Sequence, residues 1–249
     1  MIPIQCDITN KESLLAAAEE IASRTGHINL LCCNAGVLGP DPIVADPTTT
    51  LDEWRERMLA VDMEEFTQTM HVNVTGGWFT LLAFLRLLDR GNQRAVEQQQ
   101  AVFGAPDPPP PGHRRSTVPS IQSQVIFTSS ISALSRGRVA RVSYSASKAA
   151  MLHLVQKASS MLAPYGIRVN AIAPGLFPSS MVNSSLVERD PEKESCDYHS
   201  FIPTRSFGND SQLAGTLLYL AGRSGSYCNG TILVIDGGRL SVMNAVVNW

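Results

Sequence analysis

The sequence has no surplus of charge of either sign. Twenty Lys and Arg stand against 22 Asp and Glu, a net charge of −2 over 249 residues. Without a basic excess to displace counterions from a phosphate backbone, nucleic acid is not expected as a main partner. No apolar run reaches the roughly 18–20 residues of a membrane-spanning helix. The longest candidates, Ile28–Cys33 and Trp78–Leu88, are short or carry Arg86, so no membrane partner is expected. The N-terminus MIPIQCDITNKES lacks a basic segment followed by an apolar stretch, so no secretory signal is read and the expected location is cytoplasmic. Cysteine is scarce: five, at 6, 32, 33, 196 and 228, with no CxxC pair. Cys32 and Cys33, inside an apolar run, read as buried free thiols. The histidines at 27, 71, 113, 153 and 199 have neither HxxxH nor HExxH spacing, so no metal site is predicted. No internal repeat is visible. With 44% apolar and 17% charged residues, the composition is that of a globular chain.

What is present is an alternation of strand-like and helix-like segments. After the apolar stub Met1–Gln5, Lys11–Arg24 reads as a helix, with Asn10 as N-cap and Gly26 as its stop. Ile28–Cys33 is apolar apart from Asn29 and ends at Asn34-Ala35-Gly36, as expected of a strand buried on both faces. Leu51–Met70 and Val74–Leu88 follow as helices, Gln124–Thr128 as a strand and Tyr144–Leu162 as a helix closed by Pro164 and Gly166. Ile167–Ala171 (strand), Gln212–Ala221 (helix) and Thr231–Ile235 (strand) complete the series. This order predicts a single α/β domain over residues 1–249, a parallel sheet with helices on both faces. Residues 91–123 break the rhythm, with QQQ at 98–100 and four consecutive prolines at 108–111, which fit neither helix nor sheet interior. They read as a surface insertion, or alternatively as a ligand for a polyproline-reading domain.

The sharpest chemical signal is Tyr144-Ser145-Ala146-Ser147-Lys148, which puts a phenol and an amine one helical turn apart on one face. Alone, YxxxK more often marks a solvated helix surface. Here it follows a strand ending in Thr128-Ser129-Ser130, and in an open parallel sheet ligands bind beyond the carboxyl ends of the strands. Asn34-Ala35-Gly36 also follows a strand, Asn73 lies within a helix, and Asn170-Ala171-Ile172-Ala173-Pro174-Gly175 closes a later strand.

Together, and in this order, these motifs resemble the short-chain dehydrogenase/reductase family, over residues 1 to about 240. The segment APGLFPS at 173–179 and the long insertion are similar to fungal-type members. The resemblance implies a Rossmann-like doubly wound parallel sheet and nicotinamide-dependent ketone reduction or alcohol oxidation. Tyr144 would be the general acid or base, and Lys148 would lower its pKa by charge and hold the nicotinamide ribose. Ser130 would donate to the substrate oxygen. Ser132 is its rival, because the family's serine stands thirteen residues before the tyrosine and position 131 is Ile. Asn73 would hold a water relaying protons from Lys148, or else bind backbone locally. Among cofactor contacts, Asp7 would meet the adenine and Asn34 the adenosine ribose; Ala35 follows it, and Gly36 and Gly175 would either let backbone approach the cofactor or be mere turn residues. Pro174, Gly175, Phe177 and Ser179 would hold the carboxamide end. Residues 176–207 would form a flexible loop over the substrate. Its Met181, Leu186, Tyr198 and Phe201 fit either a partly apolar metabolite, such as one of secondary metabolism, or packing within the loop. A homo-oligomer through the helices at 51–88 and 144–162 is also implied.

One part of the family pattern is absent from this sequence: the opening strand, the TGxxxGxG turn, and the second strand that selects NADP or NAD. NADP is the expected cofactor, with NAD as the alternative. Two strand-helix units, on the order of 50–60 residues at about 30 per unit, are not found. MIPIQC resembles the family's third strand, which would pair directly with the 28–33 strand or leave that strand with an open apolar edge. Three expectations follow: an oxidoreductase whose true start lies upstream, a shortened chain that binds cofactor poorly, or a non-catalytic interaction protein that reuses the fold.

Overall fold

A computed structural model describes residues 1–46, 48–97, 111–112, 119–137, 140–181, 186, 189–198 and 200–243. Four strands, β1 (Leu30–Cys33), β2 (Gln124–Thr128), β3 (Arg168–Pro174) and β4 (Ile232–Ile235), pair in that order, all parallel. Val125 lies opposite Leu31 on one side and Val169 on the other. The helices are α1 (Lys11–Thr25), α2 (Leu51–Leu59), α3 (Met63–Met70), α4 (Gly77–Glu97), α5 (Val142–Met161), α6 (Asp210–Ala221) and α7 (Arg239–Met243). Alternation along the strands decides the layers. Val125, Phe127, Val169 and Ala171 pack with Leu81 and Leu88 of α4 and Met151 and Val155 of α5. Ile126 and Ile172 point the other way, onto Leu213, Leu217 and Leu220 of α6. This is the doubly wound, Rossmann-like sheet that the alternation predicts.

Local signals fix several boundaries. Asn10 caps α1 by accepting from the Ser13 amide at 2.8 Å, and Gly26 ends it at φ 73°. The 51–70 pattern is two helices. Thr50 and Glu53 form a reciprocal cap on α2, and Asp62 caps α3. From α3 the chain passes without interruption through a π-helical turn, His71–Gly76, into α4.

Several expectations are corrected. Residues 1–6 form no strand; instead Ile4 and Cys6 pack beside Ala17, Ala18, Phe84 and Leu87 between α1 and α4. β1 is therefore the edge of the described sheet and is not buried on both faces, since Leu30 is 40% exposed and Cys32 is also exposed. Of the two adjacent thiols only Cys33 is buried, because successive side chains point to opposite faces. The surface segment does not begin at Gly91. α4 runs on to Glu97 with Gly91, Asn92 and Ala95 buried, and the Asn92 side chain bonds Gly166 and Ser123. The segment also ends before 123, because Ile121 and Ser123 are buried. The QQQ run and prolines 106–110 lie outside the described residues.

Candidate active site

The carboxyl ends of β1 and β2 and the first turns of α5 bring Gly36, Ser130, Tyr144 and Lys148 together, with Asn73 of the π-helical turn beside them. Ser130 leaves β2 in extended conformation and its hydroxyl also accepts from the Ser132 amide at 3.1 Å. Tyr144 lies in the first turn of α5, where the Ser130 hydroxyl is near enough to its phenol to act on its pKa. That contact separates the two serine candidates: Ser130 meets the phenol, while Ser132 turns into the short helix that follows. Lys148, one turn further on, is buried, its Nζ donating to the Thr128 carbonyl at 2.8 Å and standing 5.6 Å from the Tyr144 ring centre. Ser129, also buried, bonds the Lys148 carbonyl at 3.0 Å and ties α5 to the strand end.

Burial dominates the electrostatics. It lowers Lys148 from 10.5 to about 8, because an ammonium is costly to desolvate. It raises the Tyr144 phenol, and the Ser130 hydrogen bond acts in the opposite sense without reversing the shift. The expectation that Lys148 holds the phenol below its usual value is thus corrected. The ammonium points to the Thr128 carbonyl, and desolvation of the phenolate prevails. At neutral pH the phenol is protonated and the amine charged.

Asn73 sits buried in the π-helical turn. Its Nδ2 donates to the Val37 carbonyl at 2.9 Å and to Ser147 Oγ at 2.9 Å, and its Oδ1 accepts from the Val37 amide at 2.8 Å. The side chain thereby fixes the segment after β1 against α5. π-turns inside α-helices recur at functional positions, and no residue pattern here announced this one. Gly36 lies between these groups: a Cβ there would meet Asn73 Oδ1 at 2.9 Å and Lys148 Nζ at 3.4 Å. Three residues on, Gly39 at φ 70° has no room for a side chain against Thr69 and Ser143. Arg141 secures the same segment, donating to the Gly39 carbonyl at 2.8 Å and pairing with Asp41. Sequence reasoning missed Arg141, Ser147 and Val37.

The remaining predicted residues are spread around this cluster. Asn34 and Ala35 are exposed at the end of β1. Asp7 is exposed and accepts from the Thr9 amide at 2.8 Å and hydroxyl at 2.7 Å, contacts that lower its pKa. Pro174 pairs with Ile235, and Gly175 fits so tightly that a Cβ would lie 2.7 Å from that of Asp236. Phe177 lays its ring on Gly208, and Ser179 is exposed. Of the loop residues read as ligand-facing, Leu186 and Phe201 are buried, while Met181 and Tyr198 remain more open. Among the described residues no group of His, Cys, Asp or Glu has metal-binding spacing, and no helix is long and apolar enough to cross a membrane.

The residues present fit the nicotinamide end of a dinucleotide. The ammonium of Lys148 has capacity for acceptors beyond the Thr128 carbonyl. Gly36 packs against Asn73 and Lys148 and Gly175 against Asp236, so neither position has room for a side chain.

Comparison with known proteins agrees. Residues 1–96 match the family model described as short chain dehydrogenase, and residues 114–239 match one described as enoyl-(acyl carrier protein) reductase. The chain is 50% identical over 244 residues to the short-chain dehydrogenase/reductase SAT3 of Stachybotrys chartarum, covering 98% of this chain and 86% of that protein. It is 38% identical over 245 residues to PhomF of Diaporthe leptostromiformis, covering 97% and 75%. Among solved structures, a short-chain type dehydrogenase/reductase from Mycobacterium marinum superposes with a TM-score of 0.67 at 27% identity, covering 96% of this chain and 75% of that one.

Proposed function

Because this chain belongs to the short-chain dehydrogenase/reductase family of oxidoreductases, we propose that it reduces the ketone of a small, partly apolar metabolite, with NADPH as the donor. The observation that carries this reading is the Tyr144 ring 5.6 Å from the buried ammonium of Lys148, with the Ser130 hydroxyl acting on the same phenol. When bound, the cofactor supplies the hydride. Ser130 and Tyr144 then present two donors to the carbonyl oxygen, where negative charge develops. Tyr144, protonated at neutral pH, gives its proton to that oxygen, and Lys148 stabilises the phenolate left behind. Lys148 also holds the nicotinamide ribose, with Gly36, Pro174, Gly175, Phe177 and Ser179 around the rest of that end. Asp7, Asn34 and Ala35 are proposed for the adenosine end. Asn73 acts by position, holding Val37 and Ser147 so that the strand end and α5 keep their spacing.

A partly apolar substrate suits the surroundings. A groove of about 410 Å³, lined by Pro40, Ile43, Leu59, Met63, Phe66 and Val142, reaches the start of α5, although Ser130, Tyr144 and Lys148 themselves do not line it. Reduction is the direction that uses the phenol as it stands. The rate with a panel of apolar ketones and NADPH is expected to be flat from roughly pH 6 to 7.5 and to fall as pH passes about 8. Lys148 then loses its charge, and at still higher pH Tyr144 loses its proton. A rate that climbs through pH 8–10 contradicts the assignment. NADH titrated beside NADPH tests the cofactor preference, and absence of binding by either favours a non-catalytic chain.

We also propose a homo-oligomer through the outer face of the α3–α4 helix and α5. Phe79 and Leu82, one turn apart on α4, remain 38% and 39% exposed in the single chain. Light scattering is expected to show at least a dimer, and Phe79→Arg with Leu82→Arg a monomer; a wild-type monomer refutes this.

A further inference from the structure

We propose that Arg189 and Glu194 form a positioning pair for the nicotinamide end of the site. This inference rests on the cofactor reading above. The Arg189 guanidinium meets the Glu194 carboxylate side by side, Nε to Oε1 at 2.8 Å and Nη2 to Oε2 at 2.9 Å. Both side chains are largely withdrawn from solvent, 15% and 9% exposed, although they belong to a long connection rather than to the sheet or its covering helices. Nη2 also donates to the Ser200 carbonyl at 2.8 Å. The rings of Tyr198 and Phe207 lie 5.6 and 5.5 Å from the guanidinium carbon. A planar cation held by a bidentate carboxylate and aromatic neighbours has little freedom to reorient.

From that pair a short series of contacts leads to the predicted carboxamide segment. Phe207 is followed by Gly208, whose amide donates to the Leu176 carbonyl at 3.0 Å. Gly208 has no space for a Cβ because the Phe177 ring lies directly on it. Phe177, Phe207 and Gly208 share one cavity wall with Thr204 and Asp236. A second arginine secures the same connection, Arg205 donating to the carbonyls of Glu192 and Glu194 at 3.2 and 3.0 Å. Loss of the Glu194 charge leaves a buried guanidinium without its counter-ion. The connection must then rearrange, and Phe207 is the first residue on the way to Leu176 and Phe177.

The test compares the whole chain with Glu194→Gln and with Glu194→Asp, which keeps the charge. NADPH and 2′,5′-ADP, which lacks the nicotinamide half, are titrated by calorimetry, and amide exchange is followed over residues 174–181 and 200–208. Glu194→Gln is expected to weaken NADPH about tenfold, to leave 2′,5′-ADP within about twofold, and to speed exchange in both segments. Glu194→Asp is expected to recover part of the NADPH affinity. Equal loss of both nucleotides, or unchanged exchange at 174–181, overturns the proposal. If the wild-type chain binds neither nucleotide, the cofactor reading fails and the positioning role falls with it, whereas faster exchange in Glu194→Gln still identifies the pair as the brace of this connection.

Discussion

Tyr144→Phe is expected to lower NADPH-dependent ketone reduction about 10³-fold while the protein stays folded. The substitution removes one hydroxyl and keeps the ring, so the packing of the first turn of α5 persists. The loss on the structural side is confined to the contact of the hydroxyl with Ser130. A melting midpoint within a few degrees of wild type, with NADPH affinity within about twofold, would assign the defect to proton transfer. Steady-state rates and melting curves on the same preparations check both halves. Activity retained within tenfold would remove Tyr144 from the chemistry. Full loss of binding would place its role in the cofactor site instead. Burial raises Tyr144, so the protonated phenol on which carbonyl reduction draws is the resident form at neutral pH.

Lys148→Met has a different expected signature, because two consequences have opposite sign. Moving an ammonium from 10.5 to about 8 corresponds to about 3 kcal/mol of unfavourable burial when it is charged. The lowered value means that the native chain holds fewer protons than the unfolded chain between about pH 8 and pH 10.5. The penalty is therefore complete below about pH 8 and is relieved as pH rises through that window. Methionine removes the charge, though it also leaves the Thr128 carbonyl without its donor, which returns about 1–2 kcal/mol of the gain. At pH 7 the variant is expected to be about 1–2 kcal/mol more stable than wild type, the difference shrinking toward pH 10. Activity is expected to fall at least 10²-fold. Chemical denaturation at pH 7 and pH 9.5 measures this difference. A variant less stable than wild type at pH 7, or a gap that widens with pH, would show that the ammonium is satisfied by its surroundings rather than stressed by burial. A stable but inactive protein is the stability–activity trade-off expected where a charge is buried for function.

Much of the architecture was legible because its signals are local. The alternation of apolar strands and amphipathic helices locates all four strands within a few residues, and Asn10 and Gly26 mark both ends of α1. The Tyr144–Lys148 spacing places phenol and amine on one face whatever the surrounding fold. Less local features escaped. The helical pattern at 51–70 did not reveal the break before Asp62, because Ala60-Val61 holds no Gly or Pro and only the Asp62 cap marks the restart. The run at 28–33 reads as a buried strand, but its burial depends on which neighbours pair with it, and among the described residues only β2 does. Gly91 looked like the start of an insertion because QQQ and four consecutive prolines follow it. It is retained inside α4 because a Cβ there would collide with the Ile28 carbonyl and Ser123.

The order of strands and helices, the helix caps and the catalytic-type motif were thus written in the amino-acid sequence, since each depends on residues within about one turn or one strand of each other. Tertiary structure alone chose Ser130 over Ser132 beside the phenol, turned Lys148 toward Thr128, and raised rather than lowered Tyr144. It alone buried the Asn73 amide against Val37 and Ser147, and joined Glu194 to the Phe177 end through Arg189 and Phe207. Those outcomes depend on desolvation and on contacts between segments far apart in the chain, and neither quantity exists until the sheet and its helices have packed.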